Sequence, residues 1–132
     1  MRFLLDTDTC IYALKQNAST LRRLLEHGRS DIAVSVITEA ELRTGAAKSS
    51  TPAKTRVKVE NFLLPLTILE FTSEDAGIYA EVRAKLERAG APIGPLDTLI
   101  AAQALGRGLT LVSNNEREFR RVSGLRRDNW VS

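Results

Sequence analysis

The sequence predicts an α/β domain in which a short parallel sheet is covered by helices on both faces. Two observations carry that prediction. Four apolar runs, residues 3–5, 32–36, 66–69 and 109–112, are too brief for helices and read as strands buried on both sides. The longer stretches between them repeat apolar residues at helical spacing, and alternation of strand and helix builds a parallel sheet. A length of 132 residues with a 43% hydrophobic share suits one core, so a single domain spanning residues 1–132 is expected.

Each element has its own signal. Residues 3–5 form the first strand, closed by Asp6 in the run Leu4-Leu5-Asp6-Thr7-Asp8-Thr9-Cys10. Leu21, Leu24 and Leu25 provide an apolar helix face. Residues 32–36 are rich in β-branched side chains and form the second strand. The pattern Thr38-Glu39-Ala40-Glu41 after it reads as a capping box. Lys48-Ser49-Ser50-Thr51-Pro52 ends that helix and starts another at Pro52. After the third strand, Thr72-Ser73-Glu74-Asp75 supplies a cap and first-turn acids for a helix with an apolar face of Ala76, Tyr79, Val82 and Leu86. Residues 90–95 are a Gly- and Pro-rich loop. Leu96, Leu99, Ile100 and Ala104 form the next helix face, and the fourth strand runs into Ser113-Asn114-Asn115.

Composition narrows the chemistry. The formal charge is +3, which permits contact with nucleic acid without demanding it. Cys10 is the only cysteine, so an internal disulfide framework and Cys-built metal sites are excluded. His27 is the only histidine, which excludes a His–His acid–base pair. Four Phe, two Tyr and one Trp are dispersed and build no base-stacking platform. No run has the length of a membrane span or the pattern of a secretory signal, so no membrane partner and a cytoplasmic location are expected. Carboxylates, hydroxyls or a metal must do the work.

In parallel α/β sheets chemistry sits beyond the carboxyl ends of the strands. Three acids fall there: Asp6 after the first strand, Glu41 after the second, and Asp97 at the start of the helix that follows Pro95. Each alone is explained by capping or a helix dipole. Convergence of all three would concentrate negative charge, which a hard divalent cation such as Mg²⁺ or Mn²⁺ relieves. Such an ion activates water and neutralises charge on a phosphoryl oxygen, an apparatus for phosphodiester hydrolysis.

Asp6 in Leu-Asp-Thr-Asp-Thr, Glu41 in Thr-Glu-Ala-Glu-Leu-Arg-Thr-Gly, Asp97 in Pro-Leu-Asp-Thr-Leu-Ile-Ala-Ala, and Ser113-Asn114-Asn115 with Phe119 together resemble the PIN-domain ribonucleases. The resemblance is nearer to the VapC toxins of bacterial VapBC toxin–antitoxin pairs, and it runs nearly end to end. It implies a PIN-like three-layer domain. By similarity Asp6 and Asp97 are principal metal-binding aspartates and Glu41 shares their pocket. Many members have aspartate where this chain has Asn115, whose amide oxygen would be a weaker, uncharged ligand. Glu118 stands near enough in sequence to assist Asn115 but reads more simply as a solvated helix acid, and Asp8 reads as an outer residue or cap. The resemblance further implies a Mg²⁺-dependent endoribonuclease (Mn²⁺ able to substitute) that cleaves tRNA, with the initiator tRNA as best guess, and inhibits translation. It implies a VapB-type antitoxin partner, toxin homodimers and a higher toxin–antitoxin assembly.

Two other readings are open. Asp6-Thr7-Asp8-Thr9 also fits the opening motif of haloacid-dehalogenase-like phosphatases, with Asp6 as nucleophile, although that chemistry needs acids where the chain has Ser113-Asn114-Asn115. A PIN-like module that holds RNA or protein without cutting is the non-enzymatic alternative. Arg117, Arg120, Arg121, Arg126 and Arg127 suit phosphate contact or an ordinary solvated face equally well.

Overall fold

The computed structural model describes residues 1–132. Five strands, β1 (Phe3–Leu5), β2 (Ile32–Ser35), β3 (Thr67–Leu69), β4 (Thr110–Val112) and β5 (Arg127–Asp128), form one sheet in the order β3-β2-β1-β4-β5. Every pairing is parallel, and Leu4 sits between Ala33 and Leu111 in register. The helices are α1 (Thr7–Leu14), α2 (Ala18–Glu26), α3 (Val36–Ala47), α4 (Pro52–Leu63), α5 (Ser73–Arg88), α6 (Pro95–Arg107) and α7 (Glu116–Phe119).

Successive strand residues point to opposite faces, and both faces are covered. Leu4, Ala33 and Leu111 pack with Val82 and Leu86 of α5, Ile100, Ala101 and Ala104 of α6, and Phe119 of α7. Phe3, Leu5, Ile32, Val34 and Val112 pack with Cys10 of α1, Leu42 and Ala46 of α3, Val59 and Leu63 of α4, and Trp130. The expected three-layer arrangement is therefore present, and Cys10 and Trp130 are packing residues, both with no exposed surface. Burial raises the Cys10 thiol well above its ordinary value, with the nearby Asp6 charge adding to it.

Several local expectations need correction. Val36 begins α3 instead of ending β2, because Ser35 caps that helix by accepting the Ile37 N–H at 3.0 Å. Thr38 and Glu41 thus lie inside α3 and form no capping box. The genuine capping box is at α5, where Thr72 and Asp75 exchange hydrogen bonds. Burial alone would raise the Asp75 carboxyl; the Thr72 N–H, Arg107 and Gln103 outweigh it and hold the group below its ordinary value. The core face of α5 runs through Asp75, Val82 and Leu86, while Ala76 is exposed. Leu96 and Leu25 are also largely exposed. His27 follows α2 as its C-cap, and its ring lies against Phe3 and stacks on Trp130, with centroids 4.5 and 5.3 Å away. Its placement is one of aromatic packing.

Two glycines in α6 and at its end have steric reasons. A Cβ on Gly106 would meet the terminal methyl of Ile78 on α5, which would have to turn aside. Gly108 ends α6 at φ 66°, the left-handed region that glycine occupies without strain.

Candidate active site

Chain order reverses direction across the sheet between β1 and β4, the kind of switch point that opens a crevice at the strand ends. Asp6 leaves β1 there as the N-cap of α1. Its backbone N–H donates to Val112 O at 3.0 Å. One carboxylate oxygen accepts the Thr9 N–H at 2.9 Å, and the other accepts the Ser113 hydroxyl at 2.5 Å. Asp6 is almost wholly buried. Burial pushes its carboxyl up, Ser113 and Thr9 pull it back, and repulsion from Asp8 adds to the rise. Capping therefore explains Asp6 only in part, since a cap needs the Thr9 contact but not the one to Ser113.

Glu41 projects from the second turn of α3. The Thr7 hydroxyl donates to its Oε1 at 2.6 Å and also lies 3.1 Å from the Thr38 hydroxyl. A hydroxyl has one proton. Thr7 is the donor in both contacts, and its one proton favours the shorter one to the carboxylate, so Thr7 ties α1 to two residues of α3. Thr38 is completely buried and Thr7 nearly so. The Thr7 hydroxyl fixes one Glu41 oxygen relative to α1, beside the Asp6 cap.

Asp97 sits in the first turn of α6, behind a Gly94 cap and Pro95. Its carboxyl is pushed up to about 6 by burial first, then by the charges of Asp6, Glu118, Asp8 and Glu41. Those four acids come from three other elements, so the fold does bring the predicted acids into one electrostatic neighbourhood. None of the five takes part in a salt bridge. Glu118, read from sequence as a solvated acid, belongs to this group. Asn115 stands before α7 without capping it by its side chain. Its backbone N–H donates to Ser113 Oγ at 2.9 Å, and its Nδ2 donates to Glu118 Oε2 at 3.1 Å.

The donor set is all oxygen, negatively charged, and uncompensated by any cation of the chain. That chemistry fits a hard divalent ion of the Mg²⁺ type. No three of the acids stand close enough together to hold a metal ion between them. An ion here would keep several waters, as Mg²⁺ characteristically does. The four predicted positions differ in how firmly they are held: Asp6 by two hydrogen bonds, Glu41 by one, Asn115 through Glu118, and Asp97 by none. Sequence reasoning missed the contacts of Thr7 with Thr38 and Glu41, because the partners are far apart in sequence. Thr7 and Ser113 hold carboxylates, Glu41 and Asp6.

A fold with helices on both faces of a parallel sheet, and with a buried Asp6 and neighbouring acids at the β1/β4 crevice, defines a nuclease-like α/β domain of the PIN type. The PIN domain family matches residues 3–125, and the chain belongs to that family. Within it, the chain is 37% identical to the tRNA(fMet)-specific endonuclease VapC of Shigella flexneri, over 98% of both chains. It is 40% identical to the ribonuclease VapC2 of Haemophilus influenzae, over 99% of both. A chain of the DNA-bound VapBC structure from Salmonella typhimurium superposes with a TM-score of 0.94 at 39% identity, covering 98% of each chain. The chain is thus a VapC-type PIN domain. The phosphatase reading falls with that membership, and the end of β4 indeed carries Ser113-Asn114-Asn115 in place of the acids it needs. No helix is long and apolar enough to cross a membrane.

Proposed function

We propose that this chain is the toxin of a toxin–antitoxin pair, a Mg²⁺-dependent endoribonuclease (Mn²⁺ able to substitute) that hydrolyses a phosphodiester bond of tRNA, the initiator tRNA first among candidates, and so inhibits translation in the cytoplasm. The observation that carries the reading is the raised Asp97 carboxyl, surrounded by four other acids and no cation. Its relatives' names supply the substrate: the Shigella protein is called tRNA(fMet)-specific.

Asp6, Asp97 and Glu41 would hold the ion, with the Asn115 amide oxygen as a weaker fourth ligand. When bound, a divalent ion neutralises charge gathering on the phosphoryl oxygens and makes a water more acidic. The protein's part is orientation. Ser113 and the Thr9 N–H hold both oxygens of Asp6, and the Thr7 hydroxyl turns Glu41 toward the pocket. Such hydrogen bonds behind ligating groups typically change metal affinity by about 10–100-fold. A VapB-type antitoxin is the natural partner, since similar chains are solved as VapBC complexes; a toxin homodimer within a higher assembly completes the proposal.

The test is incubation of the purified chain with initiator tRNA and with other tRNAs, with Mg²⁺ or with EDTA. Cleavage that needs Mg²⁺, prefers the initiator tRNA and disappears in Asp97→Asn supports the reading. Equal cleavage in EDTA would remove the metal role. RNA that is bound and never cut would favour a non-catalytic binding module.

A further inference from the structure

A cleft of about 490 Å³ opens beside the acidic pocket, lined by Asp8, Ile11, Tyr12 and Lys15 of α1 and its C-cap, and by Asn114 and Asn115 after β4. We propose that it is a nucleotide subsite, which receives the base and the next phosphate of the strand adjoining the cleaved bond; this rests on the ribonuclease reading above.

The spacing is the first reason. Asp8, Ile11, Tyr12 and Lys15 follow one another at i, i+3, i+4 and i+7, so they share one face of α1. At a rise of 1.5 Å per residue, that face runs roughly 10 Å from acid to ammonium. The order along it is an acid beside the metal-type pocket, an aromatic ring, then a cation. A nucleotide offers a phosphate, a ribose with its base to one side, and the next phosphate in the same order.

Charge is the second reason. The pocket holds five acids without a compensating cation, so a polyanionic strand is repelled there except at a bound ion. Lys15 is exposed and makes no salt bridge, and it is the only cationic residue in the cleft lining. Tyr12 is half-buried, its ring held at the cleft wall. One such ring builds no platform, but it can stack on one base. Asn114 is exposed, and its Oδ1 already accepts Asn129 Nδ2 at 3.0 Å. That bond engages the oxygen and leaves the amide N–H groups to donate to a base edge or sugar.

The full chain carrying Asp97→Asn, which should bind without cutting, is titrated with a fluorescein-labelled oligouridylate, and the Asp97 protein is assayed in parallel on initiator tRNA. Tyr12→Ala should weaken oligouridylate binding on the order of ten-fold, the usual scale for one stacked base, while Tyr12→Phe binds as the parent does. Lys15→Gln should weaken it several-fold and lower the slope of log affinity against log salt by about 0.7, one phosphate contact on a single strand. In cleavage, both changes should appear in KM with kcat little altered. Unchanged binding and KM in Tyr12→Ala and Lys15→Gln would overturn the subsite. So would variants that bind RNA normally but release a co-expressed antitoxin, since the cleft would then be a protein-binding face. An Asp97 protein that binds oligouridylate and cuts no RNA would defeat the ribonuclease reading alone, and the binding titrations would still decide for or against the cleft.

Discussion

Asp97→Asn should make the metal-free protein more stable while destroying its response to metal. In the native protein the Asp97 carboxyl rises from 3.8 to about 6. A shift of roughly two pH units corresponds to about 3 kcal/mol. Asp97 is only half-buried, and water on its open side screens the neighbouring charges, which reduces the effect to about 1–2 kcal/mol. The folded value lies above the unfolded one, so the native state holds the extra proton between those two values. The Asp97 contribution to stability is therefore highest below about pH 4, falls as pH rises towards 6, and is flat and lower above that. Asparagine removes the charge, so in EDTA at neutral pH the variant should melt about 3–8 °C above the parent. Saturating Mg²⁺ should stabilise the parent by about 2–3 kcal/mol at a hundred-fold excess over its dissociation constant, and the variant far less. Thermal melts across pH, with and without Mg²⁺, measure both effects. A variant that melts below the parent in EDTA, or gains as much from Mg²⁺, would refute the reasoning.

Other consequences concern the hydroxyls and the products. Thr7→Val takes the donor from Glu41 and from the buried Thr38 hydroxyl; it should cost about 1–3 kcal/mol of stability and weaken Mn²⁺ binding by about ten-fold or more in calorimetry. Thr7→Ser should restore the binding, and a Val variant that binds Mn²⁺ normally would show that Glu41 needs no positioning. Ser113→Ala removes a hydrogen bond that lowers the Asp6 carboxyl, so the acid limb of the pH–rate profile should move to higher pH; movement to lower pH would contradict the assigned role. Hydrolysis by water should leave 5′-phosphate and 3′-hydroxyl ends, readable by end-labelling, whereas a cyclic phosphate would identify the ribose 2′-hydroxyl as the nucleophile.

The apolar runs made the inner strands legible, because residues 3–5, 32–35 and 110–112 are buried on both faces and carry little else. Strand β5 left no such trace: it is two residues long, Arg127 and Asp128, and holds its place through backbone bonds to β4. Helix α1 was visible only in its Asp6 cap, since its buried residues Thr7, Thr9, Cys10 and Ala13 are small or polar and give a weak apolar stripe. At α3 the pattern misled. Thr38 and Glu41 stand three apart, as in a capping box, but Ser35 caps the helix and leaves the Thr38 hydroxyl to accept from Thr7. Of the site, the acids could be read from their positions after strands. Their order of firmness could not, because it depends on hydrogen bonds between residues 31, 34 and 107 positions apart.

Anomalous X-ray scattering from crystals grown with Mn²⁺ tests the metal centre most directly. The predicted result is a manganese peak within bonding distance of carboxylate oxygens from Asp6 and Asp97, with Glu41 in the same shell or one water away. A fully loaded crystal with its manganese elsewhere, or with none in this pocket, would contradict the assignment of these acids to a metal.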